Sequence, residues 1–106
     1  MLRKLLVDEA RRRAEVFGNL ERYLRMIAEV VKRLDEEARV YLFGSVAEGR
    51  NLVSSDVDVL VVTNLPPGIV LSELWRRGIK DPFEVHVVTE RTLKLYGKRG
   101  KLVEVG

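Results

Sequence analysis

Apolar residues recur at helical spacing from the start of the chain. Leu2, Leu5, Leu6, Ala10 and Ala14 recur at helical spacing and predict a helix over residues 2–17. Gly18 and Asn19 interrupt it, the glycine suited to closing one helix and the asparagine to capping the next. A second stripe follows in Leu20, Tyr23, Leu24, Ile27, Val30, Val31 and Leu34, with Glu21, Arg25, Glu29, Lys32 and Arg33 mostly outside it. This is the strongest periodic signal in the chain. Together the two helices, residues 2–36, are long and amphipathic enough to cover a sheet or to form a dimer face.

Beyond them the period shortens. Residues 40–43 are β-branched and aromatic and predict a strand that Gly44 and Ser45 end. Residues 46–54 predict a short helical turn and a loop, and residues 56–63 a buried strand. The run Asn64-Leu65-Pro66-Pro67-Gly68 is a breaker. A short helix over 70–77 carries Leu71, Leu74 and Trp75. Asp81-Pro82 then precedes a strand over 83–88, Thr89 caps a last helix to about Tyr96, and residues 101–105 add an edge strand. The order predicts an α/β (α+β) fold, a small mixed sheet with helices packed mainly on one face. The 106 residues fit one domain, with a core over 38–89 behind the N-terminal helices.

Composition narrows the chemistry. The chain has no cysteine and one histidine, which excludes disulfides, thiolate sites and imidazole clusters. Any metal must be held mainly by carboxylates, favouring Mg²⁺ or Mn²⁺. A net charge of +3 is too mild to mark a nucleic-acid binder. The Arg11-Arg12-Arg13 cluster reads as a solvated helix face. No apolar run approaches the roughly 20 residues of a membrane span. The N-terminus turns charged too soon for a signal peptide, so a cytoplasmic location is expected.

Asp56 and Asp58 are out of place at the opening of an apolar strand, because strands disfavour aspartate. Residues two apart in a strand share a face, so both carboxylates project together and raise each other's pKa. A bound cation removes the conflict. Glu84 repeats the oddity: Phe83, Val85 and Val87 alternate with Glu84 and His86. If the two strands are neighbours, three carboxylates can hold two Mg²⁺ ions. Taken singly, Asp56 also suits a turn cap in Ser54-Ser55-Asp56, and Glu84 a surface pair with an arginine. His86 reads as a neighbour of the site or a surface residue, not as a ligand.

Gly44 and Gly49 have the spacing of a phosphate-binding P-loop, but Arg50-Asn51 stands where Lys-Ser/Thr is required, which rejects a Walker-type ATPase. Gly44 still permits close approach of backbone to a phosphate, and Ser45 with nearby N–H groups can donate to its oxygens.

Gly44-Ser45, ten residues, then Asp56-Val57-Asp58 resembles the G-S-x10-D-x-D signature of the nucleotidyltransferases of the DNA polymerase beta superfamily, and the short chain resembles their minimal members. Ala47, Gly49 and Ser55 match the family loops, whereas Glu48 replaces a usual arginine for which Arg50 can substitute. The resemblance implies that Asp56, Asp58 and Glu84 are the catalytic metal ligands and that Gly44, Ser45 and Arg50 bind the nucleotide. It implies Mg²⁺ (or Mn²⁺) as cofactor and transfer of a nucleoside monophosphate from an NTP, with ATP the first choice, to an acceptor hydroxyl. Nucleic acid enters only as one possible acceptor. Minimal relatives also imply a HEPN-type helical protein partner in a toxin–antitoxin pair, or a homodimer. An alternative is a non-catalytic protein of this fold acting as an antitoxin-like binding module. A nucleic-acid binder using the basic helices would leave the acidic strand positions unexplained.

Overall fold

The computed structural model describes residues 2–49, 56–98 and 100–106. Elements run α1 (Leu2–Gly18), α2 (Leu20–Leu34), β1 (Arg39–Phe43), α3 (Gly44–Ala47), β2 (Val57–Val62), α4 (Pro67–Arg76), β3 (Phe83–Val88), α5 (Glu90–Gly97) and β4 (Val103–Val105). The four strands form one mixed sheet in the order β3-β2-β1-β4. β1 pairs antiparallel with β2 and β4, while β2 and β3 are parallel and joined by the α4 crossover.

The α2 stripe explains the core. Ile27, Val30 and Val31 are buried against Val40 and Leu42 of β1 and against Val57, Val59 and Val61 of β2. Val70 and Leu74 bring α4 onto the same face. Leu60 and Val62 point the other way and are buried too, on the face where α5 packs beside β3. Thr89 caps α5 as the sequence predicts, its Oγ1 accepting from the Thr92 N–H at 3.4 Å.

Two sequence expectations need correcting. The N-terminal stripe does not cover the sheet: Leu2, Leu5 and Leu6 are exposed, as are Ala10 and Ala14, and Val16 is the buried residue of α1. Only the C-terminal part of α1 reaches the core. Asn19 does not cap α2 with its side chain, which instead donates from Nδ2 to the Glu15 carbonyl at 2.9 Å and closes α1. Trp75 is exposed, with the Lys80 ammonium over its ring.

The arginine cluster is also not merely solvated. Arg12 donates from Nη2 to the Gly78 carbonyl at 2.9 Å and from Nε to the Asp81 carbonyl at 3.4 Å. Its guanidinium also lies over the Tyr23 ring. It thereby ties α1 to the loop that enters β3. Charged donors to backbone carbonyls contribute more than neutral ones, so Arg12→Ala is expected to lower stability by about 1–2 kcal/mol. An unchanged urea midpoint would remove this tie from the account of α1.

Candidate active site

β1 ends at Phe43, and the chain turns sharply at Gly44, whose φ is +75°. Across the sheet Phe43 stands opposite Asp58, and Asp58 opposite Glu84; one step along, Tyr41 stands opposite Leu60, and Leu60 opposite His86. Residues directly opposite in paired strands share a face. The register therefore puts Asp58, Glu84 and His86 on one face, at the end of the sheet where β1 turns.

The three side chains converge. His86 Nε2 lies 3.5 Å from Glu84 Oε1 and 3.9 Å from Asp58 Oδ1. Each residue offers a ligand atom within 4.8 Å of the others. The second Asp58 oxygen faces Gly44: a Cβ there would stand 2.4 Å from Asp58 Oδ2. Glycine is needed at this position both for its backbone angle and for the carboxylate packed against it.

Burial raises the Asp58 pKa above the usual carboxylate value, and the charges of Glu84 and Asp56 raise it further, against an opposing pull from His86. The cause is the one that makes a cation welcome: negative charge held together, partly away from water. A carboxylate pair with an adjacent imidazole is a donor set that fits a divalent ion.

Asp56 is placed differently. β2 begins at Val57, so Asp56 lies just before the strand, half exposed, and outside the convergent group. Its Oδ1 is 3.7 Å from Arg13 Nη2, and the same guanidinium lies 3.5 Å from Glu9 Oε1. Asp56 and Asp58 thus have different close partners, Arg13 for the first and His86 for the second, while the Asp56 charge still reaches Asp58. Ser45 is half-buried in the first turn of α3. The Arg50 expectation lies outside the described residues, as does the Ser54-Ser55 turn.

Beside Gly44 a cavity of about 130 Å³ is lined by Phe43, Gly44, Glu48, Tyr96, Gly100 and Lys101. A wider cleft of about 510 Å³, lined in part by Leu24, Leu42, Val46 and Val103, includes none of the convergent carboxylates. The smaller cavity is the relevant one, because it shares Gly44 with the site.

The nucleotidyltransferase domain model matches residues 24–105, which span the whole sheet and every site residue named here except Arg13. The chain belongs to the nucleotidyltransferase domain family. Two solved structures, each of a provisionally named nucleotidyltransferase, are similar to it. One is 26% identical with a TM-score of 0.64, over 76% of this chain and 95% of that one. The other, from Sulfolobus solfataricus, is 26% identical with a TM-score of 0.58, over 87% of this chain and 84% of that one. A search of curated proteins gave no significant match.

Sequence reasoning read His86 only as a neighbour of the candidate site and left Arg13 out of it. Alternation along β3 already put His86 on the Glu84 face. What it lacked was the partner strand. Nothing local tied Arg13 to Asp56, because the two are 43 positions apart along the chain.

Proposed function

We propose that this nucleotidyltransferase domain moves a nucleoside monophosphate, AMP first among candidates, from an NTP to an acceptor hydroxyl. One observation carries the proposal: the parallel register sets Asp58 directly opposite Glu84, with the Gly44 backbone against Asp58. In the reaction an acceptor oxygen bonds to the α-phosphorus, the bond from that phosphorus to the bridging oxygen breaks, and pyrophosphate leaves with its electron pair.

Asp58 and Glu84 would hold the divalent metal, Mg²⁺ or Mn²⁺, with Asp56 adding its charge from the entry of β2. Bound there, one or two such ions supply charge neutralisation at the polyphosphate and acidify a hydroxyl. Glu84, more than half exposed, is open to the acceptor and suited to take its proton. The Ser45 hydroxyl and the N–H groups after Gly44 are suited to donate to phosphate oxygens. The cavity lined by Phe43 and Tyr96 adjoins these groups and offers aromatic edges to a nucleoside.

The test is transfer of label. With Mg²⁺ and an α-labelled NTP, the purified protein supplemented with an extract of the source organism should yield a labelled product that an Asp56→Asn/Asp58→Asn control does not, and with a γ-labelled NTP the label released above that control should be in pyrophosphate. Label in a product from the γ position would replace nucleotidyl transfer with phosphoryl transfer.

A second reading rests on α1, where Leu2, Leu5, Leu6 and Val7 are exposed together. Such a patch suits protein contact. In that reading the domain is a non-catalytic binding module for a helical HEPN-type partner. It predicts partner binding that survives Asp58→Asn and is lost with Leu5→Glu/Leu6→Glu, measured by size-exclusion chromatography of the mixed proteins.

A further inference from the structure

We infer that His86 is a direct ligand of the metal in this site, giving a mixed carboxylate–imidazole set of Asp58, Glu84 and His86. The inference rests on the metal-dependent reading above and deepens it, by naming the ligand that sets which ion the site prefers.

The distances carry the argument. Two ligand atoms on one octahedral ion, each about 2.1 Å from it, stand about 3.0 Å apart when adjacent and about 4.2 Å when opposed. On a tetrahedral ion the separation is about 3.3 Å. His86 Nε2 stands 3.5 Å from Glu84 Oε1 and 3.9 Å from Asp58 Oδ1, inside that span. All three ligand atoms lie within 4.8 Å of one another, so small side-chain rotations suffice to bring them onto one ion.

The imidazole is also held in place. Its ring meets Phe43 edge to face at 5.3 Å between centroids, and Tyr96 lies 6.3 Å away on α5. Phe43 and Tyr96 pack against each other at 5.4 Å. The edge contact and the flanking tyrosine restrict the ring's tilt, and Nε2 faces the two carboxylates. Asp58 divides its oxygens, Oδ2 toward Gly44 and Oδ1 toward His86. Asp56, the other aspartate of the signature, has its Oδ1 3.7 Å from Arg13 Nη2.

The consequence is selectivity. Imidazole nitrogen suits transition metals, whereas an all-oxygen site suits Mg²⁺. This domain should therefore prefer Mn²⁺ or Zn²⁺ over Mg²⁺ more strongly than a carboxylate site would, and His86 should be the cause.

The chain's single histidine makes the test direct, because one imidazole spectrum has one source. Zn²⁺, which is diamagnetic, would be titrated into the intact ¹⁵N-labelled protein at constant, mildly alkaline pH, with binding followed independently by calorimetry. Saturable one-to-one binding that shifts the Nε2 resonance is expected, with the shift abolished in Asp58→Asn. His86→Gln, which keeps an oxygen donor, should lose at least about tenfold in Mn²⁺ affinity while Mg²⁺ affinity stays close to the parent's. Metal binding that leaves the imidazole unmoved would overturn the inference and spare the metal-dependent reading. An imidazole shift that persists in Asp58→Asn would place the ion on His86 alone and overturn the shared site. No binding of any of the three ions, with or without NTP, would overturn both.

Discussion

Asp58→Asn is expected to cut nucleotidyl transfer by about 10³-fold or more, yet leave the metal-free protein at least as stable as the parent. The activity loss follows from electrostatics. Metal charge stabilisation is worth several kcal/mol, and about 4 kcal/mol is a factor of 10³ in rate. An amide at position 58 removes the carboxylate that faces both Glu84 and His86.

The stability expectation follows from the raised Asp58 pKa, caused by burial first and by Glu84 and Asp56 after it. A carboxyl that is a weaker acid folded than unfolded binds its proton more tightly in the native state. Its contribution is full below the unfolded value, near pH 4, and is lost as pH rises through the higher folded value. At neutral pH the folded protein therefore carries the whole penalty of ionising Asp58, and asparagine does not. Denaturation midpoints of parent and variant, compared without metal, should converge in acid and separate in the variant's favour toward neutral pH. Mg²⁺ or Mn²⁺ should raise the parent's midpoint and leave the variant's unmoved. A variant less stable than the parent at neutral pH would show that Asp58 holds the fold together and that its strain is not reserved for a cation.

Gly44→Ala is the second large effect. A left-handed backbone costs a residue with a Cβ about 1–2 kcal/mol, and Gly44 has φ +75°. The new Cβ would also stand 2.4 Å from Asp58 Oδ2, so the carboxylate must turn away. Misplacing a reacting group by about 1 Å can cost about 10²-fold in rate, and that is the loss expected here. Gly49 provides the control. Its φ is +73°, and a Cβ there meets nothing within 4 Å among the described residues. Gly49→Ala should lose comparable stability and keep most of the activity. Equal activity loss in both variants, measured as initial rates at saturating NTP, would assign the Gly44 effect to backbone strain alone.

Much of the architecture was legible in local pattern. The α2 stripe at helical spacing, the apolar run of β2 and the alternation of β3 are statements about which side of an element meets water. Such periodicity is written in neighbouring residues. The same alternation already paired Glu84 with His86, and the glycine and carboxylate spacing identified the family. What the local pattern could not supply was the partner of each element. The leucines of α1 read as a buried stripe because spacing alone does not say whether a surface exists to bury them. Here α2 and α4 already cover that face of the sheet. Asp56 and Asp58 read as equivalent because they are two residues apart. One nevertheless falls before the first sheet-paired residue and meets Arg13, while the other sits between two strands.

The site itself was decided by strand register. Asp58 and Glu84 are separated by 25 intervening residues and a helix, and only the parallel pairing of β2 with β3 sets them side by side. A slip of one residue would carry Glu84 and His86 to the opposite face of the sheet. That register is held by apolar packing of Val57, Val59 and Val61 against α2 and α4, and by the helical crossover between the strands. The sequence alone determined which residues carry charge, which elements they ride on and which family the loop and the acidic strand resemble. Tertiary packing decided which of those charges meet, because the distance between groups far apart in the chain is set by the whole core and by no single segment.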